Sequence, residues 1–445
     1  MYPKYKITKP IRLIEFFAGY GSQALALKYL GVNFEHWKTC EWAVKSIQAY
    51  KDIHFTNDDI DYSKELSKEQ LQEYLFNKGI SSNYNEPMTK QQINRLSEDN
   101  LRTIYNNIKT TKNLVNIQQA KGKDLKIADT DKYDYILTYS FPCQDLSLAG
   151  KGKGMSDTST RSGMLWEVER ILTECYELGN MPQILLMENV PQVHSLDNVE
   201  DFNKWQLRLE ELGYKNYFQD LIATDYGIPQ TRNRCFMISI LGDYSYTFPK
   251  PIPLKLKLKD MLEDNVEEKY YLSDKMKQYI FSGNDKYKVN QNSLKINRDI
   301  ACSKTTREGW TRADTSDYIV ETCLLKSIEQ KPKKIGSLYE NSQAGSIYSE
   351  DAMCPTLTTE SSANWNILLG LKDLRIRKLT PKECFRLMGV KDENYDKVKI
   401  NQSDRSLYHL AGDSIVVNVL MAIFKELLWN YIVKIKIINY IRVIC

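Results

Sequence analysis

A cysteine directly after a proline, Cys143, is the residue in this sequence whose type and position best suit covalent chemistry. It follows residues 133–139, an apolar and aromatic run with the length and composition of a buried strand. The loop after such a strand lies at the edge of a sheet, where α/β folds place their reactive groups. Cys143 is therefore a candidate nucleophile, and the alternative is a small buried hydrophobe.

Polar side chains accompany two further predicted strands. The apolar run 183–187 ends at Glu188, and the run 235–240 follows Arg232 and Arg234, which share one face of an extended segment. A carboxylate and two guanidinium groups at strand ends suit proton transfer and the binding of polar ring atoms. Taken singly, Glu188 could equally form a salt bridge and the arginines an ordinary surface pair.

The N-terminal residues predict a nucleotide-binding unit. A strand at 11–17, glycines at Gly19 and Gly21 and a helix up to Leu30 follow in order. Glycines let the backbone approach a ligand closely, and the helix N-terminus favours polar groups. Glu41, about twenty residues further on, stands where an acidic side chain would bind ribose hydroxyls. This pattern does not distinguish a nicotinamide dinucleotide from S-adenosylmethionine.

Bulk properties narrow the class of protein. A chain of 445 residues with 42% hydrophobic residues suits one large or two to three ordinary domains. Nine cysteines without a C-x-x-C pair and four scattered histidines predict free thiols in a reducing cytoplasm and no metal site. A mean hydropathy of -0.49 predicts no membrane span, and a net charge of +4 permits a nucleic-acid partner without requiring one.

The strand and helix patterns also predict domain boundaries. Residues 1–248 alternate strands and helices, apart from a polar helical insertion at 58–122 that we interpret as a solvated excursion on the rim of the sheet. Proline-rich residues 248–253 mark a boundary, after which 249–373 lose the alternation and predict a smaller domain. Residues 374–428 return to the large domain, and 429–445 form a C-terminal tail.

Six segments in order resemble the cytosine carbon-5 DNA methyltransferases of bacterial or phage type. They are Phe16-Phe17-Ala18-Gly19-x-Gly21, Phe141-Pro142-Cys143-Gln144, Glu188-Asn189-Val190, Gln230-x-Arg232-x-Arg234, Arg377-x-Leu379-x-Pro381-x-Glu383-Cys384-x-Arg386-Leu387-Met388-Gly389 and Gly412-x-Ser414-Ile415-Val416. Each segment is weak evidence alone, and their shared order is specific. The resemblance implies an α/β fold: a Rossmann-like, S-adenosylmethionine-dependent methyltransferase sheet flanked by helices, with an inserted target-recognition domain.

The resemblance also implies a role for each candidate residue. Cys143 would add to a cytosine flipped out of the duplex. Glu188 would contact ring nitrogen 3, Arg234 would bind oxygen 2, and Arg232 would bind a phosphate or the site's own scaffold. Contacts to S-adenosylmethionine, and to its product S-adenosylhomocysteine, would come from Phe17, Ala18, Gly19, Gly21, Glu41, Trp42, Asn116, Pro142, Leu165, Asp413, Ser414 and Ile415. DNA contacts would come from Lys151, Lys153, Arg161 and Thr356.

Three positions depart from the family's pattern. Glu15 stands where Asp is usual, and Asp413 replaces the usual Asn, which puts a charge near the methionyl part of the cofactor. Asn116 aligns best with the acidic residue expected at the adenine amine, with Asp124 and Asp129 as rivals.

The resemblance implies double-stranded DNA as the partner. It also implies a monomer that binds neither a metal nor a membrane. The implied setting is the cytoplasm of a bacterial or phage-infected cell, with a cognate restriction endonuclease left open. Methylation of RNA is an alternative, which the long region between Arg234 and Arg377 disfavours. A catalytically decayed DNA-binding module is another alternative. A nicotinamide oxidoreductase would leave the two later motifs unexplained.

Overall fold

The computed structural model describes residues 2–57, 60–141, 163–273, 298–304 and 375–428, together with short strands at 295–296, 317–321, 334–337 and 346–348. All structural statements below refer to these residues.

A six-stranded sheet forms the centre of the protein, in the order β2–β1–β3–β4–β6–β5. The strands are β1 Ile11–Phe16, β2 Phe34–Cys40, β3 Asp134–Tyr139, β4 Ile184–Asn189, β5 Tyr214–Ile222 and β6 Asn233–Leu241. The first four run parallel, whereas β6 is antiparallel to both β4 and β5. The carboxyl ends of β1, β3 and β4 therefore meet at one edge, where ligands bind in open α/β sheets.

Helices cover both faces of this sheet. They are α1 Ser22–Tyr29, α2 Val44–His54, α3 Lys68–Lys78, α4 Lys90–Asn94, α5 Glu98–Thr110, α6 Met164–Glu177, α7 Val199–Glu211, α8 Pro381–Leu387, α9 Asp392–Lys399, α10 Asp404–Asp413 and α11 at 417–428. Successive strand residues alternate between two apolar clusters: Ile136 and Leu186 join the first, and Leu137 and Leu185 the second. The predicted α/β sheet flanked by helices is confirmed.

The C-terminal helices pack into the apolar cluster that also contains residues of the large sheet. Leu420, Ile423 and Leu427 of α11 are buried in the first apolar cluster. Within the described residues, the stretch Asp404–Leu428 is long and apolar enough by length and composition to cross a membrane, but 72% of its most apolar window is buried inside the protein. A break at 414–416 separates α10 from α11.

The insertion at 58–122 is helical, as predicted, but its interpretation as a solvated excursion is wrong. Helices α3, α4 and α5 bury a third apolar cluster, in which Leu71, Leu75, Ile93 and Leu101 pack with Ile47 of α2. Ser67 begins α3 with a reciprocal capping box, because its side chain accepts from the Gln70 amide. The insertion is therefore a packed layer on α2.

The spacing of residues 377–387 predicts one helix, with Thr380 as its N-cap, Pro381 at its first position and Glu383 at its third. The structure divides this segment between a strand and a helix. Strand β11, Arg375–Lys378, comes first and pairs with 317–321, and α8 begins only at Pro381. The predicted cap is confirmed: Thr380 Oγ1 accepts from the Glu383 amide at 3.2 Å, and Glu383 accepts from the Thr380 amide at 2.8 Å. A strand partner distant in sequence thus overrides the local helical pattern.

The described parts of 249–373 include four short strands and two 3-10 helices, Leu258–Met261 and Glu268–Tyr270. In chain order the strands are β7 Lys295–Ile296, β8 Asp317–Glu321, β9 Lys334–Ser337 and β10 Ser346–Tyr348. Strand β8 lies between β11 and β7, and β9 pairs with β10. The boundaries of this region as a separate domain stay a prediction.

Candidate active site

A cavity of about 360 Å³ opens at the carboxyl edge of the sheet. Of the residues predicted to bind the cofactor or act in catalysis, it is lined by Phe17, Ala18, Gly19, Glu41, Trp42, Asn116, Asp413, Ser414, Ile415, Glu188, Arg232 and Arg234. Residues far apart in the sequence therefore gather in one pocket. Pro142, Cys143, Lys151, Lys153, Arg161 and Thr356 lie outside the described residues.

Two predicted cofactor residues are absent from the described lining of this cavity. Leu165 is fully buried in the second apolar cluster, and its neighbour Met164 lines the cavity. Gly21 lies behind the turn with φ +81, and an added Cβ would come within 2.4 Å of His54 Nε2 and 2.6 Å of Tyr50 Cε2. The close approach of α2 therefore requires glycine here.

Glu41 fixes the turn between β1 and α1. Its two carboxylate oxygens accept hydrogen bonds from the Gly19 amide at 3.0 Å and the Ala43 amide at 2.8 Å. Burial raises the pKa of Glu41 to about 7, against the lowering effect of these two donors. A carboxylate held in this way presents its remaining lone pairs to the cavity.

Glu15 lies beneath the same turn. Its carboxylate accepts from the Ala24 amide at 3.2 Å and from the Tyr50 hydroxyl, so it joins α1 to α2. Burial raises the pKa of Glu15 to about 7. Glu15, which stands where Asp is usual, therefore contributes to the support of the turn between β1 and α1.

The catalytic side of the cavity is built from three neighbouring strands. Glu188, at the end of β4, is 4% exposed and accepts from Ser140 Oγ at 2.5 Å. Arg234 Nε of β6 lies 3.2 Å from the other oxygen of Glu188. Asn189 Nδ2 donates to the Phe141 carbonyl at 3.0 Å and so joins the two strand-end loops. The result is a buried carboxylate flanked by a hydroxyl and a guanidinium group.

Arg232 contacts backbone carbonyls. Its guanidinium donates to the carbonyls of Lys304 at 2.8 Å, Gly412 at 3.0 Å and Ser414 at 2.7 Å. Three segments that are distant in sequence therefore meet on one buried side chain. This geometry favours the scaffold role over the phosphate contact.

Among the three candidates for the adenine amine, Asn116 lies at the cavity. Asp124 accepts from the Lys121 amide at 3.0 Å, and Asp129 lies 3.4 Å from Lys132 Nζ. Both aspartates therefore serve local turns and surface pairs.

Comparisons with known proteins identify the family. The chain is 34% identical over 420 residues to the Type II methyltransferase M2.ScrFI of Lactococcus lactis subsp. cremoris, and the match covers 94% of this chain and 99% of that protein. The family model for C-5 cytosine-specific DNA methylases matches residues 76–429. The chain belongs to this family. It is a DNA cytosine methyltransferase, from a family and fold that use S-adenosylmethionine.

A second relative agrees with this methylase assignment, and two solved structures share the fold. The chain is 33% identical to the Orphan methyltransferase M.SssI of Spiroplasma monobiae, and the match covers 94% of this chain and 98% of that protein. Its fold is similar to Entamoeba histolytica methyltransferase EhMeth, with a TM-score of 0.58, 16% identity, and 94% and 98% of the two chains covered. The S. pombe Dnmt2 methyltransferase has a TM-score of 0.55 and 17% identity over 94% and 98%.

The methylase also has site residues that its motifs did not predict. Tyr84 and Asn85 of the insertion line the cavity, as do Ser140 and His409. Ser140 and His409 each lie within four residues of a predicted site residue, and this proximity could have indicated them. Tyr84 carries no such signal, because it comes from a loop that reaches the cavity only through tertiary packing.

One group of ligand-type side chains occurs elsewhere in the described part of the methylase. Donor atoms of His194, Asp220 and Cys235 all lie within 4.8 Å of one another. His194 Nε2 already lies within hydrogen-bond distance of Asp220 Oδ1, at 2.9 Å. The absence of a metal stays a prediction.

Proposed function

We propose that this methylase transfers a methyl group from S-adenosylmethionine to carbon 5 of a cytosine in duplex DNA, through a covalent bond to Cys143. One observation carries the proposal. A single cavity holds both the nucleotide-type residues, Phe17, Glu41 and Trp42, and the Glu188–Arg234 pair. Its volume of about 360 Å³ lies within the range of small-molecule sites.

The residues in the cavity fit the cofactor. Phe17 and Trp42 offer aromatic surfaces to the adenine, and Glu41 offers acceptor oxygens to the ribose hydroxyls. Asp413 and Ser414 would lie at the amino-acid end. When bound, S-adenosylmethionine supplies an electrophilic methyl group, and S-adenosylhomocysteine is the product.

Carbon 5 of cytosine is a weak nucleophile, and covalent catalysis increases its nucleophilicity. The Cys143 thiolate forms a bond to carbon 6, and the ring electrons then allow carbon 5 to attack the methyl group. Glu188 holds a proton at ring nitrogen 3 while charge develops, and Arg234 binds oxygen 2. Loss of the proton from carbon 5 and departure of the thiolate restore the aromatic ring. Arg232 supports this site through its hydrogen bonds to three backbone carbonyls.

The target cytosine must leave the duplex to reach this pocket. Lys151, Lys153 and Arg161 are our candidates for phosphate contacts, and Thr356 is our candidate within a target-recognition region at 249–373. We expect a cytoplasmic monomer without a metal, which modifies DNA with or without a cognate restriction endonuclease. The matched relatives include both Type II and orphan methyltransferases.

A methyl-transfer assay tests this function. Purified protein would be incubated with tritiated S-adenosylmethionine and equal amounts of duplex DNA and transfer RNA. Bisulfite sequencing would then locate 5-methylcytosine in the DNA. We expect label in DNA at cytosines of one recognition sequence. Equal or greater label in RNA would contradict the choice of substrate, and label on adenine would contradict the chemistry.

Gly21→Ala is expected to weaken binding of S-adenosylmethionine by at least about tenfold, through strain at a positive φ and displacement of α2. The added Cβ would lie 2.4 Å from His54 Nε2. Gly31→Ala is the matched control, because Gly31 has φ +70 and no atom within 4 Å of an added Cβ. Isothermal titration calorimetry would measure both. Equal affinities for Gly21→Ala and Gly31→Ala would contradict the role of the close α2 contact.

Glu41→Gln is expected to remove a pH dependence from cofactor binding. The pKa of Glu41 is raised from 4.5 to about 7, so its carboxyl gains a proton as the pH falls through 7 and then accepts ribose hydroxyls poorly. The variant should bind S-adenosylmethionine about tenfold more weakly at about pH 8 and show a much smaller difference at about pH 6. Comparing the two proteins cancels the titrations of the cofactor and of Glu15. A pH-independent ratio of affinities would contradict the prediction.

The free energy of unfolding should also depend on the protonation of Glu41, but in the opposite direction from cofactor binding. The folded protein holds a proton on Glu41 up to about pH 7, whereas the unfolded chain loses it near the ordinary value of 4.5. Stability from Glu41 is therefore fully present below about pH 4.5 and is lost as the pH rises toward 7. The stability of the parent relative to Glu41→Gln should therefore increase as the pH falls from about 7 toward 4.5, and urea denaturation of both proteins without cofactor would measure this change.

A further inference from the structure

The loop at 81–88, between α3 and α4, joins the helical insertion to the cofactor side of the protein. The Ser81 amide donates to the Trp42 carbonyl at 2.8 Å, and the Val44 amide donates to the Ser81 carbonyl at 2.9 Å. The loop therefore runs beside the segment that directly follows Glu41. An insertion that was expected on the rim of the sheet is hydrogen-bonded to a wall of the pocket.

Tyr84 adopts a constrained conformation in this loop. Its φ is +64, in the left-handed region that bulky residues rarely occupy. The loop is fixed by Asn83 Oδ1, which accepts from the Asn85 amide at 3.0 Å and the Glu86 amide at 3.2 Å, and by Ser81 Oγ, which donates to the Glu86 carbonyl at 2.7 Å. Such strained residues persist where their surroundings determine them, and they cluster at functional sites.

The Tyr84 ring stacks on His409 of α10, with ring centroids 3.8 Å apart and planes 15° apart. His409 Nδ1 lies 3.0 Å from Asp413 Oδ2, and all three residues line the same cavity as Glu41. The Tyr84 hydroxyl lies toward Ser46 of α2 and Ser406 of α10. Tyr84 thus lies between α2 and α10, the two helices that flank the cofactor residues Glu41 and Asp413.

We propose that Tyr84 is a positioning residue for the amino-acid end of S-adenosylmethionine. Its ring packs against His409, whose Nδ1 lies 3.0 Å from Asp413 Oδ2. The two rings together limit the directions open to the Asp413 carboxylate, which we place beside the ammonium group of the methionyl part. Asp413 is charged where the family usually has an amide, and it is half exposed at 51%. A charged side chain with that freedom gains most from a neighbour that fixes its direction. The proposal rests on the proposed function for the identity of the cofactor.

The first test separates the amino-acid end from the nucleoside. Calorimetry would measure the affinity for S-adenosylmethionine and for 5′-methylthioadenosine, which lacks the amino-acid end. Tyr84→Ala should weaken the binding of S-adenosylmethionine by about tenfold, as expected for one misdirected charge-assisted contact. It should weaken the binding of methylthioadenosine by less than about twofold. Tyr84→Phe keeps the ring stack and should stay within about threefold of the parent for both ligands.

A double-mutant cycle tests whether Tyr84 acts through Asp413. With Asp413→Asn in place, Tyr84→Ala should change the affinity for S-adenosylmethionine by less than about twofold. Phe76→Ala is the control within the insertion, because Phe76 of α3 is 43% exposed and does not line the cavity. Thermal melting of each variant would verify that it is folded.

The outcomes are distinct. Unchanged affinity for S-adenosylmethionine in Tyr84→Ala, or equal losses for both ligands, would overturn the positioning role while the proposed function stands. An undiminished effect of Tyr84→Ala in the Asp413→Asn background would overturn the route through Asp413. A folded parent protein that binds neither ligand would overturn the proposed function itself.

Discussion

Replacing Cys143 with serine is expected to lower the rate of methyl transfer to DNA by at least about a thousandfold, because the covalent step needs a strong nucleophile. A thiol with a pKa of about 8.5 supplies some thiolate at neutral pH, whereas a serine hydroxyl stays protonated. Without addition at carbon 6, carbon 5 of cytosine cannot attack the methyl group at a useful rate. The measurement is the initial rate of tritiated methyl transfer at saturating cofactor.

Cys175→Ala is the matched control for this experiment. Cys175 is buried in α6, its Sγ lies 3.7 Å from the Gly122 carbonyl, and burial raises its pKa to about 12. Its removal should leave the rate within about threefold of the parent, because it cannot supply a thiolate. Cys143→Ser should still bind S-adenosylmethionine. Methylation by Cys143→Ser at the parent's rate would contradict the covalent mechanism.

Arg377→Met is expected to lower the free energy of unfolding by about 3–5 kcal/mol, the usual cost of breaking a buried ion pair by removing one partner. Arg377 is 1% exposed and Glu383 is 0% exposed. Two parallel hydrogen bonds join them, at 2.9 and 3.0 Å. Glu383 also accepts from the backbone amides of Thr380 and Glu263, so its carboxylate stays buried when the guanidinium is removed.

Lys132→Met provides the comparison with an exposed ion pair. The side chains of Lys132 and Asp129 are 67% and 51% exposed, with 3.4 Å between their charged atoms. This substitution should change stability by less than about 1 kcal/mol. Urea denaturation followed by circular dichroism would measure both variants. A loss of stability in Arg377→Met no larger than in Lys132→Met would contradict the structural role of the buried pair.

The site residues that could be predicted from the sequence are those at strand ends. Glu41 directly follows β2, and Glu188 lies near the carboxyl end of β4, which is part of the same parallel set. Arg234 lies near the start of β6, which is antiparallel to β4, so it comes to the same edge of the sheet. Their gathering around one cavity therefore needs only the correct strands and the correct sheet type. The cap formed by Thr380 and Glu383 was equally predictable, because it depends on residues only three apart.

Features that depend on distant contacts were not predictable in this way. Arg377 lies in a strand because 317–321 pairs with it, and nothing in its local sequence indicates that partner. A shift of one residue turns a helical side chain by about 100° around the axis, which separates buried Leu165 from Met164 at the cavity. Tyr84 reaches His409 across a sequence separation that no periodic pattern describes.

The central claim is tested most directly by trapping the covalent bond. Parent protein and Cys143→Ala would be mixed with tritiated S-adenosylmethionine and duplex DNA that contains 5-fluorocytosine, and then run on a denaturing gel. Fluorine cannot leave carbon 5 as a proton does, so the thiolate cannot depart. We predict a labelled protein–DNA band with the parent and none with Cys143→Ala. A band that persists in Cys143→Ala, or its absence from a parent protein that methylates ordinary DNA, would contradict the mechanism.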